Sequence, residues 1–417
     1  MQIKEWPGWF KSLGIEKKWF IIVILIRPVL EGFYKLKETS IIFSPLYWLG
    51  VGVPIAILWT ILTKYRKPAQ GIPGSGVFRF FGLFVLLSVV MLFVRVGGIS
   101  SIEAILRVTI ILFLFAYSVR YMNEWCDVEG VLIAFLLSAI YPLSMMMYEI
   151  LVSPISVEMS RGLERIRGFY ADSFNYSIYM VLSTIVLLYF RERWKWLNYK
   201  ILFPFFAIVI LGLYHLNHIA SWAAFIAIVV SRVTSSPKMV VGIFVSVIVF
   251  MPLIVQQEFD DDVLYESRLL GREYEILMGE RPVEQAFHGR ISRWQYYYGL
   301  IKDAAPQVWL FGIYSDFDTY PEPAYVLVAP HNDYLRIFLL AGVTGLLGYL
   351  IFLASILKSA TKLNENKRFI KYAVIAVITI YSVSAIPTLY ASLMTIVIPV
   401  MIAGDYRKER KNIWSMR

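Results

Sequence analysis

Residues 335–357 read LRIFLLAGVTGLLGYLIFLASIL, 23 positions with one ionisable side chain, Arg336. A helix rises 1.5 Å per residue, so about 20 apolar residues cross the hydrocarbon of a bilayer. Comparable runs recur at about 19–36, 41–62, 77–95, 102–119, 130–150, 174–190, 201–215, 219–231, 239–255, 370–386 and 388–403. The chain has 417 residues, 58% of them hydrophobic and 17% charged, with a mean hydropathy of +0.63. A soluble domain of this length cannot hide so much apolar surface, whereas a bilayer accepts it. The expected fold is all-α, a polytopic membrane protein of about 12 transmembrane helices.

The basic residues give an orientation. Lys4, Lys11, Lys17 and Lys18 precede the first run, and Lys64, Arg66 and Lys67 follow the second. Arg191, Arg193 and Lys195, then Arg232 and Lys238, flank 201–231, which requires two crossings there if both groups are cytoplasmic. Lys358 through Lys371 and the tail Arg407, Lys408, Arg410 and Lys411 complete the set. Cytoplasmic loops carry an excess of Lys and Arg, so both termini are expected inside. That excess also accounts for the net charge of +10 without invoking nucleic acid. The first run, Trp19 to Leu30, continues into Glu31-Gly32-Phe33-Tyr34 without a small-residue cleavage site, and reads as a retained span. Cys126, the single cysteine, excludes an intramolecular disulfide framework.

Three parts follow: helices one to nine over 1–255 with a short outer loop at 151–173, a large partly helical outer loop over 256–333, and the last three helices with a basic tail over 334–417. The large loop holds 14 acidic and 6 basic residues. Of the nine basic residues in the two outer loops, eight are Arg and only Lys302 is Lys. Guanidinium presents a flat fork of donors that fits phosphate or carboxylate, so an outer loop that selects Arg suits an anion. Ordinary pairing with Glu and Asp is the simpler account of any one of these arginines.

Chemistry concentrates between Gly289 and Gly345. The segment begins Gly289-Arg290-Ile291-Ser292-Arg293-Trp294, passes Trp309-Leu310-Phe311-Gly312 and reaches Pro330-His331-Asn332-Asp333. Residues 287–303 read as a helix with Arg290, Trp294, Tyr297 and Ile301 on one stripe. Such a stripe usually packs, and can also stack sugar rings. His331 sits just outside an apolar span. It is either a cap or surface residue, or a general base for a sugar hydroxyl. Asp260-Asp261-Asp262 reads as a solvated loop, and His215 with His218 lacks a third ligand, so no metal centre is expected.

These residues resemble the bacterial O-antigen ligases and the related O-antigen polymerases. That family's pattern has His followed by Asn, Ser or Gln, nine residues, Gly, two residues, then Gly, Thr or Tyr. Here it is His331-Asn332, nine residues, Gly342, Val343-Thr344, then Gly345. The stretch 289–294, Leu310-Phe311-Gly312, and Arg167-Gly168-Phe169-Tyr170 with Asn175 are similar to further family features, and Arg27-Pro28 also looks like one. The resemblance spans roughly 160–350 by motif and the whole chain by span count. Two departures stand out. Ser221-Trp222 replaces a Ser-Arg pair, and Tyr314 replaces a second glycine after Gly312.

The resemblance implies a GT-C-like, membrane-embedded transferase of the bacterial inner membrane, working on the periplasmic face without metal or cofactor. The donor would be a glycan on undecaprenyl diphosphate, and the acceptor a sugar hydroxyl of lipid A–core or a growing glycan. Arg290 and Arg167 would hold the diphosphate, with Arg268 or Arg272 in addition. His331 would activate the acceptor hydroxyl, with inversion at the anomeric carbon. Asn332 and Trp294 would support the acceptor or the loop. A ligase is placed first, and a repeat-unit polymerase second. A flippase or transporter is the alternative of another class, weakened by the absence of visible repeat symmetry. Arg27 and Glu31, at i, i+4 within the first span, either neutralise each other or mark function. Arg107 and Arg336 are similar cases, Arg336 being placed to snorkel to the outer interface.

Overall fold

The computed structural model describes residues 1–33, 43–64, 66–96, 99–160, 163–170, 172–216, 218–234, 275–276, 278–280, 282, 286–315 and 331–404. Fourteen α-helices are described, α1 (Trp6–Ser12), α2 (Ile15–Glu31), α3 (Pro45–Thr63), α4 (Ser75–Val96), α5 (Ile99–Tyr121), α6 (Trp125–Leu151), α7 (Phe174–Phe190), α8 (Tyr199–Leu216), α9 (Ile219–Thr234), α10 (Ala286–Ile301), α11 (Pro306–Phe311), α12 (Asp333–Ala360), α13 (Glu365–Ser384) and α14 (Ala391–Ile402). Helices lie over eleven of the twelve apolar stretches, and the ninth, 239–255, lies outside the described residues. Three of them, α3, α6 and α12, are each long and apolar enough to cross a membrane. The one departure from an all-α chain is a short antiparallel hairpin, β1 (Val157–Ser160) and β2 (Leu163–Ile166), in the 151–173 connection.

Two helices form the centre. Every residue of α7 except Asn175 and Leu187 is buried, as is every residue of α14 except Ala391. A helix apolar on all sides has no preferred face toward solvent and is stable only when surrounded. Around them α6 packs on α2 and α7, α3 and α14 pack on α5, α9 packs on α13, and α4 packs on α12. The peripheral helices turn apolar side chains outward. Leu83, Leu87 and Val90 on α4 and Ile55, Trp59 and Leu62 on α3 are exposed at helical spacing. Such stripes suit lipid better than water.

Charges gather at the end of the bundle where α2 and α6 begin. Lys17 Nζ meets both oxygens of Asp127 at 2.7 Å. The Met1 amino group donates to Glu129 at 2.5 Å, and Glu129 also takes Arg193 and the Tyr189 hydroxyl. Lys371 donates to the Met401 and Ala403 carbonyls at 2.9 and 2.8 Å. These carbonyls close α14, where no helical donor remains for them.

The opposite end carries the start of α12. Asn332 is its N-cap, with the side chain accepting from the Leu335 N–H at 2.9 Å. Arg336, one turn in, does not snorkel outward as its position had suggested. It is 3% exposed, and its Nε donates to Asp333 at 2.8 Å. Asp333 also accepts from the Thr388 hydroxyl at 2.7 Å and the Thr388 N–H at 3.0 Å. A buried carboxylate one turn away holds the guanidinium more firmly than the interface can. The side chain of Arg107 lies outside the described residues.

Within α12 the backbone breaks at Gly342, with φ 64° and ψ −169°. Gly312, just after α11, has φ 95° and ψ 171°. Both lie in a region open essentially to glycine alone. The two meet backbone to backbone. A Cβ on Gly342 would sit 2.2 Å from the Leu310 carbonyl carbon, and one on Gly312 would sit 2.5 Å from the Leu340 oxygen. Hydroxyls satisfy carbonyls at this junction, Ser88 donating to Leu340 beside the break and Thr344 to Leu310 at the end of α11. Phe311 stacks on Phe84 at 5.8 Å and Trp309 edges onto Phe338 at 5.3 Å. The short α11 is thereby plugged into the kink. After Gly312 the chain closes a 3-10 turn, Ile313–Ser315, with Ser315 Oγ donating to the Gly312 carbonyl at 2.7 Å.

Candidate functional site

At the α12 end of the bundle a cavity of about 340 Å³ opens between α2, α3, α5, the start of α7 and the segment 385–392. Its polar wall is Arg27, Glu31, Asp172, Asn175, His331 and Tyr390. Its apolar wall includes Leu46, Leu49 and Pro54 from α3 and Leu106 and Ile110 from α5.

The Asp172 and Asn175 corner is placed by Glu149, near the end of α6. Its Oε1 accepts backbone N–H groups of Ile155 at 3.1 Å, Ser156 at 3.4 Å and Gly168 at 3.0 Å, and its Oε2 accepts the Tyr176 hydroxyl at 2.8 Å. Gly168 has φ 59°, and a Cβ there would sit 2.0 Å from the Tyr176 oxygen. One buried carboxylate thus gathers both ends of the hairpin onto α7. Glu149→Gln is expected to weaken this cluster by about 1–2 kcal/mol, since hydrogen bonds to a charged acceptor are roughly twice as strong as neutral ones. Amide exchange at Ser156 and Gly168 should speed up about tenfold while α12 amides keep their protection. Unchanged exchange would show that Glu149 does not hold the hairpin. Downstream, Asp172 accepts from the Phe174 N–H at 2.6 Å and from the Tyr390 hydroxyl at 3.2 Å, joining this corner to the approach to α14.

His331 enters from the other side. It has φ 46°, the one positive φ on a non-glycine residue among the described residues. Such conformations cost of order 1 kcal/mol or more and persist where the surroundings impose them. The next residue, Asn332, is fixed on both sides, since its side chain caps α12 and its Nδ2 donates to the Val383 carbonyl at 3.3 Å. The imidazole is exposed to the cavity, yet enough protein surrounds it to pull its pKa down. Burial, then the positive charges of Arg293 and Arg290, lower it to about 4. At neutral pH the ring is therefore uncharged, with a lone pair available to accept a proton.

Arg290 and Arg293 lie on α10, the first half-buried and the second exposed. On the expected stripe, Tyr297 and Ile301 are buried and Trp294 is half-buried, so this face of α10 packs against the body of the protein. Arg290 stands near enough to His331 to act on its charge but does not line the cavity. Arg167 does not line it either. It is half-buried, with Nε donating to Ser156 Oγ at 3.1 Å. Arg268, Arg272 and the run Asp260-Asp261-Asp262 lie outside the described residues.

No protein-family model matches the chain, and no curated protein matches it.

Sequence reading had left Arg27 and Glu31 open. They form a salt bridge at 2.6 Å, each 7% exposed, and both line the cavity with His331. Sequence reading missed Asp172 and Tyr390. No local pattern marks them, and the wall joins positions more than 200 residues apart. As for metals, His218 Nδ1 is engaged with Ser221 Oγ at 2.5 Å. Among the described residues Glu124, Cys126 and Asp127 bring ligand atoms within 4.8 Å of one another. Lys17 occupies Asp127, and the group lies where α6 begins, at the opposite end from the cavity.

Proposed function

We propose that the chain is a membrane-embedded glycosyltransferase of the O-antigen ligase type. It moves a glycan from undecaprenyl diphosphate to a sugar hydroxyl of lipid A–core on the periplasmic face of the bacterial inner membrane. The topology that goes with this reading has twelve spans and both termini in the cytoplasm. One observation carries it. A histidine with positive φ, next to the residue that caps α12, opens onto a cavity within the electrostatic reach of two guanidinium groups. The complete His331-Asn332 to Gly342 and Gly345 pattern adds to it.

In this reaction His331 takes the proton of the acceptor hydroxyl as its oxygen attacks the anomeric carbon of the donor from the face opposite the diphosphate. The bond from that carbon to the phosphate oxygen breaks, and lipid diphosphate leaves with the electron pair. Configuration inverts, and His331 later gives its proton to water. Arg290, with Arg167 and the arginines at 268 and 272, neutralises the charge gathering on the leaving group. Purified protein, lipid-linked glycan and lipid A–core test the reading directly. Transfer of one preassembled glycan to the core supports a ligase, growth of the lipid-linked chain by repeat units indicates a polymerase, and no transfer of either kind refutes the proposal.

The protonation state makes a pH prediction. With the donor as varied substrate, kcat/KM reports the free enzyme. Its acid limb should lie well below the ordinary histidine value of about 6.5, toward 4. The sign follows from the lowered pKa. His331 is fully neutral, hence active, above 6.5, and activity falls only as protonation sets in nearer 4. Bound diphosphate offsets the field of Arg290 and Arg293, so the limb of kcat should lie higher than that of kcat/KM. A kcat/KM limb at or above 6.5 would contradict the assignment.

A further inference from the structure

We propose that the cavity between His331 and the Arg27–Glu31 pair is the acceptor's sugar pocket, distinct from the cationic ground around Arg290. This rests on the reading of His331 as the base. The Arg27 side chain forms part of the wall, with Nε donating to Glu31 Oε1 at 2.6 Å. Among the described residues its Nη1 is buried and has no partner. Among the same residues Glu31 Oε2 receives the Tyr179 hydroxyl alone, at 3.1 Å. A pair that served to neutralise charge alone would close its donors on protein. Buried donors left open in native proteins call for an explanation, and a ligand oxygen provides one here.

The charge of the wall selects the class of ligand. Arg27 contributes one positive charge, Glu31 and Asp172 one negative charge each, and His331 none at neutral pH. With Arg290 and Arg293 acting on His331 from outside it, the wall is mixed in sign, and a sugar hydroxyl both donates and accepts. Carboxylates accept from such a group, and the guanidinium and the Asn175 amide donate to it. Asp172 receives Phe174 N–H and Tyr390 O–H, which fixes its carboxylate on this wall. The apolar wall suits the C–H faces of a sugar ring. The volume of about 340 Å³ falls in the range of small-molecule sites and is far below that of a whole glycan. A ring seated here meets His331 on the same wall, as an acceptor must.

The test uses the full-length His331→Ala protein in lipid nanodiscs, in which any transfer should be reduced to a small residue. A panel of lipid-free, uncharged oligosaccharides and, separately, inorganic pyrophosphate are titrated against its thermal unfolding midpoint. At least one oligosaccharide should raise the midpoint. Arg27→Gln, the charge-balanced double variant Arg27→Gln with Glu31→Gln, and Asn175→Ala should each weaken that binding at least tenfold. Pyrophosphate binding should be unaffected by these changes and weakened by Arg290→Gln. Absence of any oligosaccharide effect overturns the proposal, as does oligosaccharide binding that ignores Arg27 and Asn175, or pyrophosphate binding that depends on Arg27. Turnover in the otherwise unaltered protein separates the two readings. Sugar binding through Arg27 without any transfer sinks the function and spares the pocket. Transfer with an acceptor KM unmoved by Arg27→Gln and Asn175→Ala sinks the pocket and spares the function.

Discussion

His331→Ala is expected to lower glycan transfer by roughly 10²–10⁴-fold, the usual contribution of a positioned general base. The fold should survive, because Asn332 and not His331 caps α12. His331→Gly sharpens the expectation. Glycine accepts φ 46° without strain, so this variant should be at least as stable as the parent protein and equally inactive. A residue whose removal relieves strain while abolishing turnover is kept for chemistry. Arg290→Ala should also reduce transfer by at least tenfold, through leaving-group charge, with the larger effect on kcat. Turnover within a fewfold of normal in both His331→Ala and Arg290→Ala would remove the basis for the proposed mechanism.

Gly342→Ala is expected to cost about 3–5 kcal/mol and to release α11 from α12. Backbone strain for alanine in this region contributes about 1–3 kcal/mol, and overpacking adds a similar amount. The added carbon would lie 2.2–2.4 Å from the Leu310 carbonyl and the Phe311 nitrogen, which are backbone atoms and cannot rotate away. Thermal unfolding in detergent should show a large drop in the apparent midpoint, and Trp309, pulled from Phe338, should change its fluorescence. Gly76→Ala is the matched control, since a Cβ there meets nothing within 4 Å and it lies in α4. If the two substitutions behave alike, the close approach of Gly342 to the Leu310 and Phe311 backbone does not hold α11.

The helices were legible because each apolar run is continuous along the chain. The helix expected at 287–303 and found at Ala286–Ile301 shows that a four-residue stripe is enough where one face packs. The hairpin at 157–166 was not legible. It is held by Glu149 from a preceding helix, and although VEMS alternates, it does so over four residues only, while LERI does not. Gly342 stood out by its place in a motif, but its reason is the backbone of Leu310, more than 30 residues earlier. The cavity was the least visible feature. Arg27 announced itself as a charge within an apolar run, while Asp172 and Tyr390 look like ordinary loop residues until α7 and α14 are side by side. Arg336 was misread for a related reason. Its neutralising partner Asp333 is adjacent in sequence, but Thr388, which fixes that partner, is not.

The burial of α14 bears on how the protein is made. Ala391 and Ser392 at its start, with 385–390 just before, form one wall of the cavity. A ribosome delivers the chain from its N-terminus, so this wall emerges after all the others. Until it docks beside α5, the charges of Arg27, Glu31 and Asp172 lack their cover in a setting where uncovered charge is costly. A messenger truncated before codon 391 would therefore leave a product with an open seam at its centre, marked for membrane quality control.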